Sequence, residues 1–272
     1  MTTQVQAKLH TVDGHRLEVA DAGSGPPVFL LHGAAPGASS AGTWSSLTPV
    51  LARTHRVVAP DFLGFGGSDK PERGDYGIGL WTSQTLALAD ELGIDRFSVI
   101  GNSLGGRVGL QLALDAPERI DDLVLMSTRV APSDSPAQTL LRNYRPDRDL
   151  MRELVTECFV HRPGIVTESL VERRYTLSAL PGAHEAIQCF FRGGAAPPST
   201  DLEKLLPTIE HRTLVLHGRH DKVVPVSNSI TLAQSLPHAE LHVFADTGHW
   251  FPLERADRFE DSVSHFLTHA RD

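Results

Sequence analysis

The sequence predicts an α/β protein in which helices cover both faces of a mostly parallel β-sheet. Short apolar runs alternate along the chain with stretches whose apolar residues recur at helical spacing. Continuous apolar strands separated by helices indicate parallel strands that are buried on both faces. The composition agrees, because 272 residues with 40% hydrophobic and 21% charged side chains suffice for one large domain or a domain with an insertion.

The chain opens with a predicted β-hairpin. Residues 5–12 and 16–20 alternate between apolar and polar side chains, and Asp13-Gly14 between them is a strong turn signal. The apolar runs that follow predict the remaining strands, at residues 28–31, 56–60, 97–100, 123–126, 213–216 and 241–244. The patterns between them predict helices, at residues 44–52, 80–92, 104–116, 227–236 and 256–270.

One segment interrupts this alternation. Between residues 129 and 199 the sequence has no clear buried strand, but it has amphipathic helical patterns at residues 150–159 and 167–177. We therefore expect a helical lid inserted into the α/β core, and the apolar content of the segment disfavours the alternative of a long disordered loop. The expected division is a core over residues 1–128, the lid over 129–199 and the rest of the core over 200–272.

The charge balance argues against several classes of partner. The chain has 33 acidic and 25 basic side chains, and its net charge of −8 disfavours a nucleic-acid or anionic-membrane surface. No apolar run approaches the roughly 18 residues of a membrane-spanning helix. Two cysteines rule out a disulfide framework and fit a reducing compartment. The first residues lack a basic segment followed by an apolar one, so we expect no signal peptide and a cytoplasmic location.

The strongest motif lies at the end of the predicted strand 97–100. The chain continues there as GNSLG, a G-x-S-x-G pattern with Ser103 at its centre, placed between a strand and a helix. Glycines allow the sharp turn that raises a serine above the sheet. The N-terminus of the following helix adds free N–H groups and a positive dipole. We therefore predict that Ser103 is a nucleophile rather than a structural serine.

A serine nucleophile needs a base to accept its proton and an acid to orient that base. In this type of fold the acid and then the histidine follow the serine along the chain, in loops at the carboxyl ends of strands. Asp221 follows the predicted strand 213–216, and His249 follows the predicted strand 241–244 directly after a glycine. We predict that His249 is the base and Asp221 its acid, with Asp134 as the alternative acid.

An oxyanion hole needs two backbone N–H groups that point at the developing negative charge. The N–H of Leu104, directly after the predicted nucleophile, is one candidate. The other is the N–H of Ala34, in the loop HGAAPG that follows the strand at residues 28–31. Its small residues allow the backbone to approach a substrate, although the same composition is also found in ordinary glycine–proline turns.

Two other motifs are interpreted as structural. The glycine-rich segment at residues 61–68 has neither a G-K-[ST] ending nor a full G-x-G-x-x-G pattern, so we interpret it as a turn below the pocket and not as a phosphate site. His217, His220 and Asp221 do not have the spacing of a zinc motif, and His211 is expected at the surface. We therefore expect no metal ion and no cofactor.

Together these motifs resemble the α/β-hydrolase superfamily over nearly the whole chain, with the helical insertion where that family carries its lid. Within it, the chain resembles the meta-cleavage product hydrolases, which cleave a C–C bond in vinylogous 1,5-diketones formed by extradiol ring cleavage of aromatic compounds. The stretches that carry this resemblance are the loop HGAAPGA from His32, the segments at residues 158–160 and 167–174, and the segment at residues 240–257.

The resemblance implies further substrate contacts. It puts Arg174 at the lid arginine that binds the dienolate and carboxylate end of the substrate, and a guanidinium suits a carboxylate because it can bind both oxygens. The alternatives are that Arg173 faces inward instead, or that Arg174 is a solvated surface residue. The resemblance also implies that the substrate pocket includes Asn102, Phe159, Trp250, Gly33 and Ser46, the last in place of an asparagine common in the family.

The implied activity is that of a cofactor-free serine hydrolase that cleaves a C–C bond in a small molecule. Two alternatives stay open. One is a carboxylesterase or lactonase with the same Ser–His–Asp triad, and the other is a receptor or a non-hydrolytic enzyme that keeps the fold as a pocket. We expect a homo-oligomer, a dimer or larger, and neither a nucleic acid nor a membrane as a partner.

Overall fold

A computed structural model describes residues 7–72, 74–131, 135–193 and 202–269, which form a mixed eight-stranded sheet flanked by helices. The strands are β1 (Ala7–Val12), β2 (His15–Ala22), β3 (Pro27–Leu31), β4 (Arg56–Pro60), β5 (Phe97–Asn102), β6 (Ile120–Met126), β7 (Arg212–Gly218) and β8 (Ala239–Phe244). Their order is β1-β2-β4-β3-β5-β6-β7-β8. β2 pairs antiparallel with β1 and with β4, and the other pairs are parallel. The predicted fold class is confirmed.

The central strands are apolar along their whole length because both faces of the sheet are covered. All residues of β5 are buried. Successive side chains of a strand point to opposite faces, so Val99 packs in the core on one face and Ile100 in the core on the other. The parallel register pairs Leu31 of β3 with Gly101 of β5, and this pairing brings the carboxyl ends of the two strands together.

Helices supply the layers on either side of the sheet. They are α1 (Ser40–Trp44), α2 (Leu47–Leu51), α3 (Ile78–Glu91), α4 (Leu104–Asp115), α5 (Pro136–Asn143), α6 (Arg148–Leu154), α7 (Glu168–Ser178), α8 (Ala183–Phe191), α9 (Leu202–Leu205), α10 (Ser227–Ser235), α11 (Phe251–Glu254) and α12 (Ala256–Thr268). Trp81 of α3 and Val108 of α4 pack in one core, and Trp44 of α1 and Phe259 of α12 pack in the other. Within the described ranges, no helix is both long and apolar enough to cross a membrane.

Between β6 and β7 the described residues form helices and contain no strand. Apolar side chains from α5 to α7, such as Met151 and Val171, form a third core cluster that also includes Ala35, Val223 and Val224 from loops after the strands. The side chains of Ser135, Asp147 and Thr167 accept hydrogen bonds from backbone N–H groups at the starts of α5, α6 and α7, which fixes where these helices begin. The role of this segment as a lid and the limits of the three expected parts stay predictions.

The single helix expected over residues 44–52 is wrong. The structure has two short helices there, α1 and α2, with a break between them. The Ser39 side chain accepts a hydrogen bond from the Gly42 N–H over 3.1 Å, so the first helix begins upstream of the expected start. Trp44 and Leu47 are three residues apart, a spacing that fits one face of a single helix, and both are buried, but they belong to different helices.

Candidate active site

The predicted nucleophile stands on the turn between β5 and α4. Ser103 has φ 53° and ψ −106°, a backbone conformation that is strained for a residue with a side chain. Its N–H donates to the Met126 carbonyl over 2.7 Å, which ties the turn to the neighbouring strand β6. Ser103 is therefore held at the carboxyl end of the sheet, where it lines two cavities.

Close backbone contacts explain why glycines flank this serine. A Cβ on Gly101 would collide with the backbone of Gly105, and a Cβ on Gly105 would collide with the Leu31 carbonyl at the end of β3. The loop after β3 also lies near this turn, because a Cβ on Gly33 would lie 3.0 Å from Oδ1 of Asn102 and 3.4 Å from the Cβ of Ser103. The two loops are thus packed backbone against backbone, with Ser103 between them.

The predicted base and acid are hydrogen-bonded to each other. His249, after β8, lies with Nδ1 2.7 Å from Oδ2 of Asp221, after β7. The N–H groups of Val223 and Val224 donate to the other carboxylate oxygen of Asp221 over 2.8 Å each. A carboxylate only accepts, so Nδ1 of His249 carries the proton and Nε2 is left to accept another. His249 lines the same cavity as Ser103.

The carboxylate of Asp221 is fully buried. Burial alone would raise its pKa, but His249, His217 and the Val224 N–H interact with the charged form and lower the pKa below its usual value. His217 is itself buried and bonded at both ring nitrogens, to Ser229 Oγ over 2.6 Å and to the Val224 carbonyl over 2.9 Å. Burial lowers the pKa of His217, so a neutral imidazole lies beside the ionised carboxylate of Asp221.

His32 fixes the conformation of the loop that follows β3. Its Nδ1 lies 2.9 Å from the carbonyl of Gly33, and its Nε2 accepts the Phe62 N–H over 3.0 Å. This pair of bonds requires a neutral ring with the proton on Nδ1. Burial lowers the pKa of His32 to about 4, so the ring keeps this state at neutral pH.

The residues of the two predicted oxyanion donors line a cavity together with Ser103. Ala34 and Leu104 both line the larger of the two cavities together with Ser103. Within the described part of the chain, neither backbone N–H donates a hydrogen bond. Leu104 is the first residue of α4, where N–H groups lack a partner inside the helix. Both amides are therefore available to a developing negative charge.

Arg174 of α7 is buried, whereas its neighbour Arg173 is exposed. Its Nη2 donates to the Pro36 carbonyl over 2.6 Å, and its Nε has no partner among the described residues. The guanidinium carbon lies 4.6 Å from the ring centre of Trp250 and 5.7 Å from that of Phe159. Burial lowers the pKa of Arg174 to about 9, so the side chain stays charged at neutral pH.

Two chambers meet at Ser103. The inner chamber is lined by Gly33, Ala34, Asn102, Ser103, Phe159, Arg174, His249 and Trp250, among others. It adjoins an outer cavity of about 140 Å³ that shares Asn102, Arg174 and Trp250 with it and includes the exposed Ser46. The large chamber, of about 620 Å³, lies around Ala34, Ser103 and Leu104 and contains none of the inner-chamber aromatic rings.

Phe159 and Trp250 stack with ring centres 4.3 Å apart and an angle of 11° between the planes. The backbone fixes this pair, because the Trp250 N–H donates to the Phe159 carbonyl over 2.8 Å. The predicted substrate residues of the inner chamber thus include two rings and one cation in contact. Of the predicted set, Ser46 alone lines the outer cavity without also lining the inner chamber.

The other motifs have structural partners. Asp61, at the start of the glycine-rich turn, accepts the N–H groups of Ser40 and Gly67 over 2.6 and 2.9 Å. His220 stacks on His161, with ring centres 4.0 Å apart, and does not join His217. With Asp246, His161 and His220 form an exposed group whose ligand atoms lie within 4.8 Å of one another. The alternative acid, Asp134, lies outside the described residues.

Sequence reasoning missed the role of Glu254. Its fully buried carboxylate accepts the N–H groups of His161 and Arg162 over 3.0 and 2.9 Å with one oxygen, and that of Gly248 over 2.5 Å with the other. Glu254 therefore joins the chain at residues 161–162, which follows α6, to the loop that carries His249. The only signal in the sequence is an acidic residue six positions after Gly248, which surface glutamates share.

Comparisons with known proteins identify the family of the chain. The family model described as the alpha/beta hydrolase fold matches residues 26–173 and 181–256. The chain is 36% identical to a 2-hydroxymuconate semialdehyde hydrolase from a Pseudomonas species, with 94% of this chain and 92% of that protein covered. It is 35% identical to a 2-hydroxy-6-oxo-2,4-heptadienoate hydrolase from Pseudomonas putida, with 93% of each covered.

Among solved structures, the fold is similar to that of a meta-cleavage product hydrolase from Pseudomonas fluorescens. The TM-score is 0.90 at 33% sequence identity, with 97% of this chain and 98% of that chain covered. Fold and site thus define a hydrolase with a serine on a strand–helix turn. The chain belongs to the α/β-hydrolase family, and within it to the relatives of the meta-cleavage product hydrolases.

The buried His32 should make the protein less stable in acid. Its pKa is about 4 in the folded protein and about 6.5 in the unfolded chain, so the unfolded state binds more protons between these values. The free energy of unfolding should therefore fall as the pH falls from about 6.5 to about 4. A shift of this size contributes about 3 kcal/mol. Urea unfolding at pH 7 and pH 4.5 should show a loss about 2–3 kcal/mol larger in the wild type than in His32→Gln.

The matched control for this measurement is His238→Gln, which removes an exposed histidine. It should lose as much stability on acidification as the wild type. Equal losses in the wild type and in His32→Gln would contradict the assignment of His32 as a buried neutral ring.

Replacing Glu254 should destabilise the fold. Glu254→Gln keeps the size of the side chain, but its amide nitrogen cannot accept the N–H that the second carboxylate oxygen accepts now. Leaving buried donors unpaired costs about 2–4 kcal/mol in total. Urea unfolding with an unchanged m-value measures this loss. Asp257→Asn, at an exposed site three residues later, is the control and should change stability by less than about 0.5 kcal/mol.

Proposed function

We propose that the chain hydrolyses a C–C bond of a vinylogous 1,5-diketone, the 2-hydroxy-6-oxo-dienoate type of product formed by opening an aromatic ring. The observation that carries the proposal is the buried Arg174, which lines the same chamber as Ser103 and His249 and has no ion-pair partner in the described chain. A buried cation is costly unless an anion reaches it. An ester hydrolase needs no such cation beside its nucleophile. The names of the relatives describe substrates with an anionic dienolate end.

In the proposed mechanism, Ser103 is the nucleophile, His249 the base and Asp221 its orienting acid. Asp221 holds the proton of His249 on Nδ1, so that Nε2 can take the proton of the serine hydroxyl. The strained backbone of Ser103 presents the hydroxyl to both chambers. The N–H groups of Ala34 and Leu104 stabilise the oxyanion that forms when Ser103 attacks the ketone carbon.

The C–C bond breaks only if the electron pair has somewhere to go. The enol proton of the substrate first moves, through His249, to the carbon next to the ketone, which converts the dienol into its keto form. Ser103 then adds to the ketone carbon, and the tetrahedral intermediate collapses with its electron pair moving into the dienolate. Arg174 stabilises this anion, which is protonated to the 2-hydroxydienoate. Water, deprotonated by His249, hydrolyses the acyl-enzyme and frees Ser103.

The remaining inner-chamber residues shape the site for a flat conjugated anion. Phe159 and Trp250 offer stacked ring faces beside the Arg174 cation, and Asn102 offers a buried amide. Gly33 leaves room for the substrate next to Ser103, and Ser46 is proposed to meet it in the outer cavity. The division into core, lid and core, a location in the cytoplasm and a homo-oligomer remain part of the proposal.

Removing the nucleophile should abolish turnover without unfolding the protein. Ser103→Ala is expected to lower kcat by about six orders of magnitude, because the remaining groups cannot form the acyl-enzyme. Decay of a yellow ring-cleavage product, followed in the visible range, measures this loss. Ser169→Ala, at an exposed serine of α7, should keep the wild-type rate. Near-native turnover by Ser103→Ala would reassign the nucleophile.

A second substitution separates C–C hydrolysis from ester hydrolysis. Arg174→Gln removes a charge-assisted contact worth about 2–4 kcal/mol, so kcat/KM on a ring-cleavage dienolate should fall about 30- to 1000-fold. Hydrolysis of a neutral p-nitrophenyl ester should fall far less, because this substrate offers no anion. Arg258→Gln, at an exposed arginine of α12 that lines none of these cavities, should change neither rate by more than about threefold.

An equal and small effect of Arg174→Gln on both substrates would favour the carboxylesterase or lactonase alternative. That alternative has its own support, because the fold is also similar to that of an N-acyl homoserine lactone degrading enzyme, with a TM-score of 0.78 at 27% identity.

A further inference from the structure

The large chamber lies where the proposed reaction puts the acyl half of the substrate. Ser103 and Ala34 line both chambers, whereas Arg174 lines only the inner one and its outer extension. An attacked ketone carbon at Ser103 therefore has its dienolate side toward Arg174 and its other side toward the large chamber. The walls of that chamber are largely apolar, with contributions from Ile78, Val130, Leu141, Phe190, Phe191, Leu202 and Val223.

Two arginines interrupt these apolar walls. Arg107 lies on α4, one helical turn after Ser103, and Arg129 lies just after β6. Both line the large chamber, and both are partly buried. Arg107 Nη1 donates to the backbone carbonyl of Arg129 over 3.3 Å, so the two residues are in direct contact.

Neither arginine has an acidic partner in the described part of the chain that would neutralise it. No ion pair joins Arg107 or Arg129 to a carboxylate there. The chamber-lining acid is the exposed Glu203, and Asp221, which attracts Arg129, is already bonded to His249. Arg142, a third arginine, also lines the chamber.

Burial and repulsion by a neighbouring arginine both lower the pKa values of Arg107 and Arg129. Burial, and then the charge of Arg129, lower the pKa of Arg107 to about 10. Burial and the charge of Arg142 lower the pKa of Arg129, while Asp221 opposes the shift. Both side chains remain protonated at neutral pH. Two like charges held against apolar walls are unfavourable until an anion reaches them.

We propose that the large chamber binds an acyl half that carries a second carboxylate, and that Arg107 and Arg129 bind this carboxylate. This inference rests on the proposed function, because it extends the same substrate beyond Ser103. The substrate is then an anion at both ends, with its dienolate end at Arg174 and a carboxylate-bearing side chain on the ketone. A substrate of this kind comes from ring opening of a catechol that carries an acidic side chain.

The products follow from the bond that is broken. The C–C bond next to the ketone is cleaved, the hydroxyl of water adds to the acyl carbon, and the proton goes to the hydroxydienoate half. The acyl half leaves with the new carboxylate and the one it already had. The second product is therefore a dicarboxylate, not a monocarboxylate.

A pair of substrates tests the assignment. Both are ring-cleavage products with the same dienolate half, and they differ only in a terminal carboxylate or its methyl ester on the ketone side chain. The wild type should prefer the carboxylate, by kcat/KM, at least about tenfold. Arg129→Gln should remove most of this preference and leave kcat/KM on the methyl ester within about threefold. Arg129→Lys, which keeps the charge, should retain part of the preference.

The control variant is Arg258→Gln, which removes an exposed arginine of α12. It has the same net charge as Arg129→Gln and should keep the wild-type preference, so that a general electrostatic effect is separated from a local one. A thermal unfolding midpoint near that of the wild type shows that Arg129→Gln is folded. Equal preference in the wild type and in Arg129→Gln, or a wild-type preference for the methyl ester, would overturn the proposal.

A binding measurement separates this inference from the proposed function. Calorimetric titration with glutarate and with valerate, which differ by one carboxylate, needs no turnover. Glutarate should bind the wild type at least about tenfold more tightly than valerate does, and Arg129→Gln should remove this difference. If neither ring-cleavage product is turned over but this difference is found, the proposed function fails and the anion site stands. If both products are turned over and glutarate binds no better than valerate, the anion site fails and the proposed function stands.

Discussion

The whole site depends on the close approach of backbone to backbone at the carboxyl end of β5. Gly105 lies so near the Leu31 carbonyl that no side chain fits between them, and Gly101 lies equally near Gly105. This approach lets α4 begin directly after Ser103. The strain at Ser103 is offset by the buried strands that hold the turn from both sides.

A consistent distribution of charge is built on that turn. The histidines that support the site, His32 and His217, are buried, have lowered pKa values and are bonded as neutral rings. The carboxylate of Asp221 is ionised and accepts a hydrogen bond from Nδ1 of His249. Cations that lack an ion-pair partner in the described part of the chain also line the cavities at Ser103, with Arg174 in the inner chamber and Arg107 in the large chamber. These cations line the cavities although the chain as a whole carries a net charge of −8.

The sequence predicted those features whose cause is local. The Ser103 turn could be predicted because its glycines, strand and helix are contiguous, and the sheet could be predicted because buried parallel strands are continuously apolar. The break between α1 and α2 could not, since the apolar spacing on both sides fits one helix. The anchor at Glu254 and the facing of Arg107 to Arg129 depend on contacts between segments far apart in the chain, and neither carries a pattern of its own.

The arrangement of the two chambers also indicates how contacts at the two ends of a substrate can position the bond that breaks. Cations held in apolar surroundings are poorly solvated, so an anion that reaches them gains more than it would at the surface. Under the proposal, a substrate whose dienolate end binds at Arg174 and whose acyl half is uncharged has no second charged contact in the large chamber. A substrate with anionic groups at both ends is held from Arg174 and from Arg129 at once, which fixes the position of the ketone between them. Since Ser103 lines both chambers, we propose that its hydroxyl attacks the ketone held in this position.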